Sequence, residues 1–151
     1  MSIFHRSWVA AAAVLICILA AGPSCGKRKP PQPPVPKVAQ RAQISGFQRG
    51  ERVIISWDMP ASNAPASDVR HISRVDVYRL AERLNSPLTL SEAEFSARSV
   101  LIASVPVKST DFGSKKLTYT DTLQFAGQAA RLRYAVRFVN ASGQKAAFSN
   151  F

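Results

Sequence analysis

The sequence predicts an all-β domain over residues 44–151. From Ile44 onward, short runs of alternating apolar and polar residues are separated by turn signals, which is the pattern of half-buried β-strands. The domain contains no cysteine, because the two in the chain, Cys17 and Cys25, both precede it. A domain of about 100 residues can bury a sufficient core without disulfide bonds.

The first strand that we predict with a clear face is Arg52–Trp57, which follows a turn at Gln48–Glu51. Successive side chains of a strand point to opposite faces. We therefore expect Val53, Ile55 and Trp57 to lie together on one face.

The second such strand is Ile72–Leu80. The same alternation directs Val75 and Val77 into the core and places Asp76 and Tyr78 on the outward face.

A short helical insertion is predicted in the long segment after this strand. Ser91 is followed three residues later by Glu94, the spacing of a capping box that begins a helix. Val100–Val107 (VLIASVPV) then predicts a further strand.

The last part of the domain holds the most regular strand, Arg131–Asn140. Its alternating residues separate into two sets, Leu132, Tyr134, Val136 and Phe138 on one face and Arg133, Ala135 and Arg137 on the other. A turn ending in Gly143, which tolerates a positive φ, follows it. We expect Gln144–Phe151 to be the final strand, and Leu117–Thr120 to be another that precedes Arg131.

Several of these pieces, in this order, resemble strands of a fibronectin type III domain. They are I-x-W-x-x-P at Ile55–Pro60, V-D-V-Y-R at Val75–Arg79, Tyr119–Asp121, Y-A-V-R-F-V-N-A-S-G at Tyr134–Gly143, and Phe148–Asn150. The resemblance covers residues 44–151 and implies an immunoglobulin-like β-sandwich in which Trp57 packs between the sheets. The tyrosine corner of such folds falls at Leu132, so either Tyr134 compensates or the corner is absent.

The N-terminal segment, residues 1–24, has the organisation of a signal peptide. Val9–Ala21 is an uninterrupted apolar run of 13 residues, whereas a membrane-spanning helix needs about 20. The following Gly22–Cys25 resembles the lipobox of bacterial lipoproteins, which implies that Cys25 is acylated and becomes the mature N-terminus. Gly22 and Pro23 depart from the usual box. Ordinary secretory cleavage near Gly22 and an uncleaved anchor are the alternatives, and all three export the domain.

Residues 25–43 form a basic, proline-rich tether. Gly26–Lys37 (GKRKPPQPPVPK) predicts a polyproline II spacer of about 3.1 Å per residue. A ligand for a proline-recognising groove is the alternative. Lys27–Lys29 would lie beside anionic lipid head groups. Gly26, where an Asp would retain a lipoprotein in the inner membrane, favours the outer membrane of the bacterial envelope.

The formal charge of +11 suggests an anionic partner or simply favours solubility. Five arginines on predicted strands form a possible binding surface for an acidic glycan or an envelope protein: Arg74, Arg79, Arg131, Arg133 and Arg137. The alternative is a solvated sheet face in which arginines pair with Asp76 and Glu82. Nucleic acid is not an expected partner, because the domain is exported and no aromatic platform is evident.

We identify no catalytic, cofactor-binding or metal-binding residues in the sequence. His71 is the one histidine after the signal peptide, and no G-x-S-x-G motif surrounds any serine. Glu92 and Glu94 are two residues apart, so on a helix they do not face each other. The sequence therefore favours a membrane-anchored, non-enzymatic binding or spacer module. An accessory, carbohydrate-binding domain of a larger envelope protein or enzyme is the alternative, and a small hydrolase using His71 is a weaker one.

Overall fold

The computed structural model describes residues 41–113, 115–124 and 129–151. The predicted signal peptide, Cys25 and the tether up to residue 40 lie outside the described residues. The described residues form six strands, one α-helix and one 3₁₀ turn. They are β1 (Ile44–Arg49), β2 (Arg52–Asp58), β3 (Ile72–Arg83), α1 (Glu92–Arg98), β4 (Val100–Pro106), the 3₁₀ turn (Ser109–Asp111), β5 (Lys116–Thr122) and β6 (Ala130–Asn140).

The strands form two antiparallel three-stranded sheets, which confirms the all-β prediction for the described part of the chain. The first sheet has the order β1-β2-β5 and the second the order β4-β3-β6. In the first, Trp57 lies opposite Leu117, and in the second, Val77 lies opposite Val136. The central strand of the second sheet, β3, pairs with β4 along one edge and with β6 along the other.

Buried side chains from both sheets form one hydrophobic cluster. On the second sheet we call this side the inner face, which carries Val75, Val77, Val136 and Phe138. The first sheet contributes Val53, Ile55 and Trp57, as predicted from the alternation of β2, and Trp57 is only 1% exposed. Burial of large apolar side chains of this kind is the dominant stabilising term in folding.

The opposite side of the second sheet, which we call the outer face, is also buried. Asp76 and Tyr78 lie on this face, as the alternation predicted, yet they are only 1% and 8% exposed. Tyr78 is buried there because α1 places Phe95 in a second hydrophobic cluster with Tyr78, Leu80, Ala135 and Phe148. The period-2 pattern assigned the face correctly, but it contained no information about what covers that face.

The helix begins where the capping box predicted. The Ser91 hydroxyl accepts a hydrogen bond from the backbone N–H of Glu94 at 3.2 Å, and the Glu94 carboxylate accepts one from the backbone N–H of Ser91 at 2.9 Å. The hydrogen bond from the Ser91 side chain lowers the pKa of Glu94. At the other end, the backbone N–H of Ser99 donates to the carbonyl of Phe95. No helix among the described residues has the length and apolarity needed to cross a membrane.

The expected final strand, Gln144–Phe151, is not formed as a strand. The chain turns at Gly143, whose φ is +79°, and then follows β6 irregularly. The backbone N–H of Ala146 donates to the carbonyl of Phe138, and that of Ser149 donates to the carbonyl of Val136. Between these two bonds the tail advances by three residues while β6 advances by two, so the pairing is not that of a regular strand. The Ser149 hydroxyl accepts a hydrogen bond from the backbone N–H of Val136 at 3.0 Å. In a regular antiparallel pair of strands, a backbone carbonyl would accept this bond.

Candidate binding surfaces

The five predicted arginines do not share one face of the second sheet. Arg79 lies opposite Tyr134 in the register, and Arg133 lies opposite Leu80. Directly opposed residues of an antiparallel pair share a face. Arg79 therefore belongs to the inner face, whereas Arg74, Arg131, Arg133 and Arg137 belong to the outer face.

Three outer-face arginines donate hydrogen bonds to carboxylates or backbone carbonyls within the domain. Arg74 Nε donates to Asp76 Oδ1 at 2.9 Å and Arg133 Nε donates to Glu82 Oε2 at 2.7 Å. Arg131 Nη1 donates to the carbonyl of Ser86 at 2.7 Å. The first two are the pairings with Asp76 and Glu82 that the sequence left open as an alternative to ligand binding.

Glu82 is the most heavily paired acid of the outer face. It contacts Arg98 as well as Arg133, with an Arg98 Nη2 to Glu82 Oε1 distance of 3.0 Å, and its side chain is 1% exposed. The hydrogen bond from Arg133 lowers the pKa of Glu82. The carboxylate therefore stays charged at neutral pH and links β3, β6 and the end of α1.

Arg137 lies against a pair of aromatic rings, those of Tyr78 and Phe148, whose centroids are 5.0 Å apart. The carbon of its guanidinium is 4.7 Å from the Tyr78 ring centroid and 4.4 Å from that of Phe148. Its Nη2 also donates to the Tyr78 hydroxyl at 2.7 Å. This is a cation–π arrangement, which sequence spacing could not have shown because Phe148 reaches it from the irregular tail.

A separate feature is a cleft of about 810 Å³ lined by residues of both sheets. Asp121 of β5 and Arg79 of β3 line it together with the half-buried ring of Tyr119. Apolar contacts are contributed by Ile102 of β4 and Leu132 of β6. Its lining thus combines a charged pair, an aromatic ring and aliphatic walls.

The charged pair in this cleft is held by a third side chain. Asp121 Oδ2 accepts from Arg79 Nη1 at 2.8 Å and from the Tyr134 hydroxyl at 2.7 Å, and the Asp121 side chain is 9% exposed. Burial, followed by the hydrogen bond to Asp121, raises the pKa of Tyr134, so its hydroxyl remains a donor. Burial, the largest single cause, lowers the pKa of Arg79, but the hydrogen bond to Asp121 and the attraction of its charge, with a smaller contribution from Tyr134, together outweigh burial and the net direction is upward.

The sequence did not predict that Arg79, Asp121 and Tyr134 contact one another. It placed Asp121 as a single carboxylate at the end of a predicted strand and Tyr134 on one face of another. One signal was present, since Arg79 continues the inward parity of Val75 and Val77 and so places a cation toward the core. Its partner was not identifiable, because Asp121 lies on the other sheet.

His71, the one candidate for acid–base chemistry, lies in the loop before β3. Its Nδ1 is 2.8 Å from the carbonyl oxygen of Ala64 and 3.0 Å from the side-chain amide nitrogen of Asn63. Asp68 accepts from Arg70, and Asp76 from Arg74 and Ser104. Among the described residues, neither carboxylate is a hydrogen-bond partner of the His71 ring, although the His71 backbone N–H donates to the Asp68 carbonyl. No cluster of three His, Cys, Asp or Glu side chains suited to a metal occurs in that part of the chain either.

No protein-family model matches this chain, and neither a curated protein nor a solved structure shows detectable similarity to it. Its function must therefore be inferred from its own residues.

Proposed function

We propose that this chain is a lipid-anchored protein of the bacterial cell envelope whose domain at 44–151 is a non-catalytic binding module. We also propose that this domain is a fibronectin type III-like β-sandwich. The two antiparallel three-stranded sheets and the burial of Trp57 among residues of both support that likeness. In this proposal Tyr134 takes the place of the tyrosine that the family has where this chain has Leu132.

The arrangement in the cleft is the observation that favours binding over catalysis. A general acid or base must exchange protons near the working pH. Tyr134 has a raised pKa, and Asp121 Oδ2 is occupied by two donors. These groups are suited to holding fixed hydrogen-bonding positions for a ligand rather than to transferring protons.

Anchoring is proposed to occur through acylated Cys25, with residues 25–43 as a stalk. Each buried CH₂ of an acyl chain contributes about 0.8 kcal/mol to membrane binding, and a second signal makes the attachment durable. Lys27–Lys29, directly after the cysteine, would supply such a signal at an anionic surface. Gly26 favours delivery to the outer rather than the inner membrane.

The anchor is tested by expressing the full chain in a bacterial host and weighing the membrane-fraction product by mass spectrometry. We expect a mature chain that begins at an acylated Cys25. A Cys25→Ser variant is the matched control and should lose both the acyl mass and the membrane association. If wild type and variant are both cleaved near Gly22 without lipid, the anchor and the stalk must be abandoned.

A second candidate function is favoured by the same cleft. A polar cleft with an aromatic wall also suits an accessory, carbohydrate-binding domain of a larger envelope protein or enzyme. Detection of a longer product of the same reading frame, by immunoblotting the native organism with an antibody to the domain, distinguishes this from a stand-alone module.

A further inference from the structure

We propose that the cleft lined by Arg79, Tyr119 and Asp121 binds a neutral saccharide. This inference deepens the proposed binding function and rests on it. In the cleft, Arg79 and Asp121 engage each other and each retains polar atoms without described partners.

The charge of the cleft favours a neutral ligand. Among the described residues that line it, Arg79 and Asp121 are the charged ones, and their formal charges cancel. No described residue donates a hydrogen bond to Oδ1 of Asp121. A ligand carboxylate or phosphate near that oxygen would be repelled, whereas a hydroxyl group would donate to it.

The hydrogen-bonding groups of the cleft match neighbouring hydroxyls. Asp121 Oδ1 is an acceptor, and Arg79 engages Asp121 through Nη1, which leaves Nε and Nη2 without a described acceptor. One hydroxyl of a pyranose ring would donate to Asp121 while its neighbour accepts from Arg79. Hydrogen bonds that involve a charged group are stronger than those between neutral groups, so this pair would orient the sugar.

The remaining walls suit the apolar face of a sugar ring. Tyr119 presents a half-buried aromatic ring, and Ile102 and Leu132 contribute aliphatic surface. A cleft of about 810 Å³ lies within the range of about 300–1,000 Å³ that is typical of small-ligand sites. It is therefore large enough for a short oligosaccharide.

The test is an NMR titration of the full-length, isotopically labelled chain in detergent micelles. The neutral probes are cellotriose, maltotriose and chitotriose, and trigalacturonate is the anionic probe of equal length. We expect at least one neutral trisaccharide to shift the backbone amide signals of residues 79–81 and 119–121, and trigalacturonate to leave them unchanged.

Two cleft variants and one control make the test specific. Asp121→Asn and Tyr119→Leu should each weaken binding of the neutral probe by about tenfold or more, because the first replaces a charged acceptor by an amide and the second removes the aromatic ring. Tyr119→Leu keeps an apolar side chain at a half-buried position and serves if Asp121→Asn fails to fold. Thr118→Ala changes an exposed residue next to Tyr119 in β5 and should bind as the wild type does.

The proposal is overturned if no neutral trisaccharide perturbs the cleft at millimolar concentration. It is also overturned if trigalacturonate binds and shifts the side-chain Nε–H signals of Arg131, Arg133 and Arg137 while residues 119–121 stay unchanged, although that result would retain a binding module and assign its ligand to the outer face. Binding that survives in both cleft variants overturns it as well. Loss of acylation in the mass measurement would contradict the anchor without affecting any of these outcomes.

Discussion

The two faces of the second sheet are both buried, but different chemistry covers them. The inner face packs Val77 and Val136 against the first sheet in an almost wholly apolar cluster. The outer face combines the aromatic cluster around Phe95 with buried acids, of which Glu82 is paired with Arg133. The comparison shows that strands with charged residues on one face need not expose that face, provided that the charges pair.

The two faces should therefore respond to different perturbations. Hydrophobic burial depends on area and shape and is nondirectional. A buried ion pair depends on the protonation and geometry of both partners. We expect the inner face to be sensitive to side-chain volume and the outer face to be sensitive to pH as well.

The largest effect is expected at the inner cluster. Trp57→Ala should lower the free energy of unfolding by about 3–5 kcal/mol, because it removes a large buried ring and leaves a cavity. Urea unfolding of the full chain, followed by circular dichroism, measures it. Trp57→Phe, which keeps an aromatic ring, should lose less stability.

The control is Phe47→Ala, at a position that is 61% exposed, which should change the free energy of unfolding by no more than about 0.5 kcal/mol. Equal losses for Trp57→Ala and Phe47→Ala would contradict the assignment of the core.

A smaller effect, dependent on pH, is expected on the outer face. Arg133 lowers the folded-state pKa of Glu82, so the pair contributes stability above the ordinary glutamate pKa of 4.5. That contribution is lost as the pH falls from there through the lowered folded value. Glu82→Gln should reduce stability at neutral pH and flatten the acid limb of the stability curve, as measured by urea titrations at several pH values.

The control for this prediction is Glu51→Gln, which alters an exposed acid at the turn before β2. It should leave the acid limb as steep as in the wild type. An acid limb that is unchanged by Glu82→Gln would show that the outer face does not depend on this pair, and the distinction between the two faces would fail.

The smallest effect is expected at the helix cap. Ser91→Ala removes the side-chain acceptor for the N–H of Glu94 and should cost about 1 kcal/mol in urea unfolding. Ser91→Asp is the matched variant, since aspartate also caps a helix and suits its N-terminus, and it should retain most of the stability. If alanine and aspartate are equally costly, capping is not what Ser91 contributes.

The elements that the sequence predicted well depend on local chemistry. The alternation of β2 and β6 and the capping box of α1 each lie within a few residues, so they could be recognised without the fold. The prediction of a strand after Gly143 was wrong, because the Ser149 hydroxyl accepts the hydrogen bond from the backbone N–H of Val136 in β6. A contact of this kind is not visible in the local sequence. The candidate cleft was not predicted. The binding surface of five arginines stays a prediction, and the structure places these arginines on two different faces of the second sheet.

By itself, the sequence determined the all-β class, the positions of the principal strands, the start of the helix and the faces on which Val75 and Val77 lie. The tertiary structure alone decided that α1 covers the outer face and that Arg79 meets Asp121. These two residues are 42 positions apart in the chain and lie on different sheets. The physical reason is that backbone periodicity and capping act over a few residues, whereas the partner of a buried charge is set by the register and packing of whole sheets.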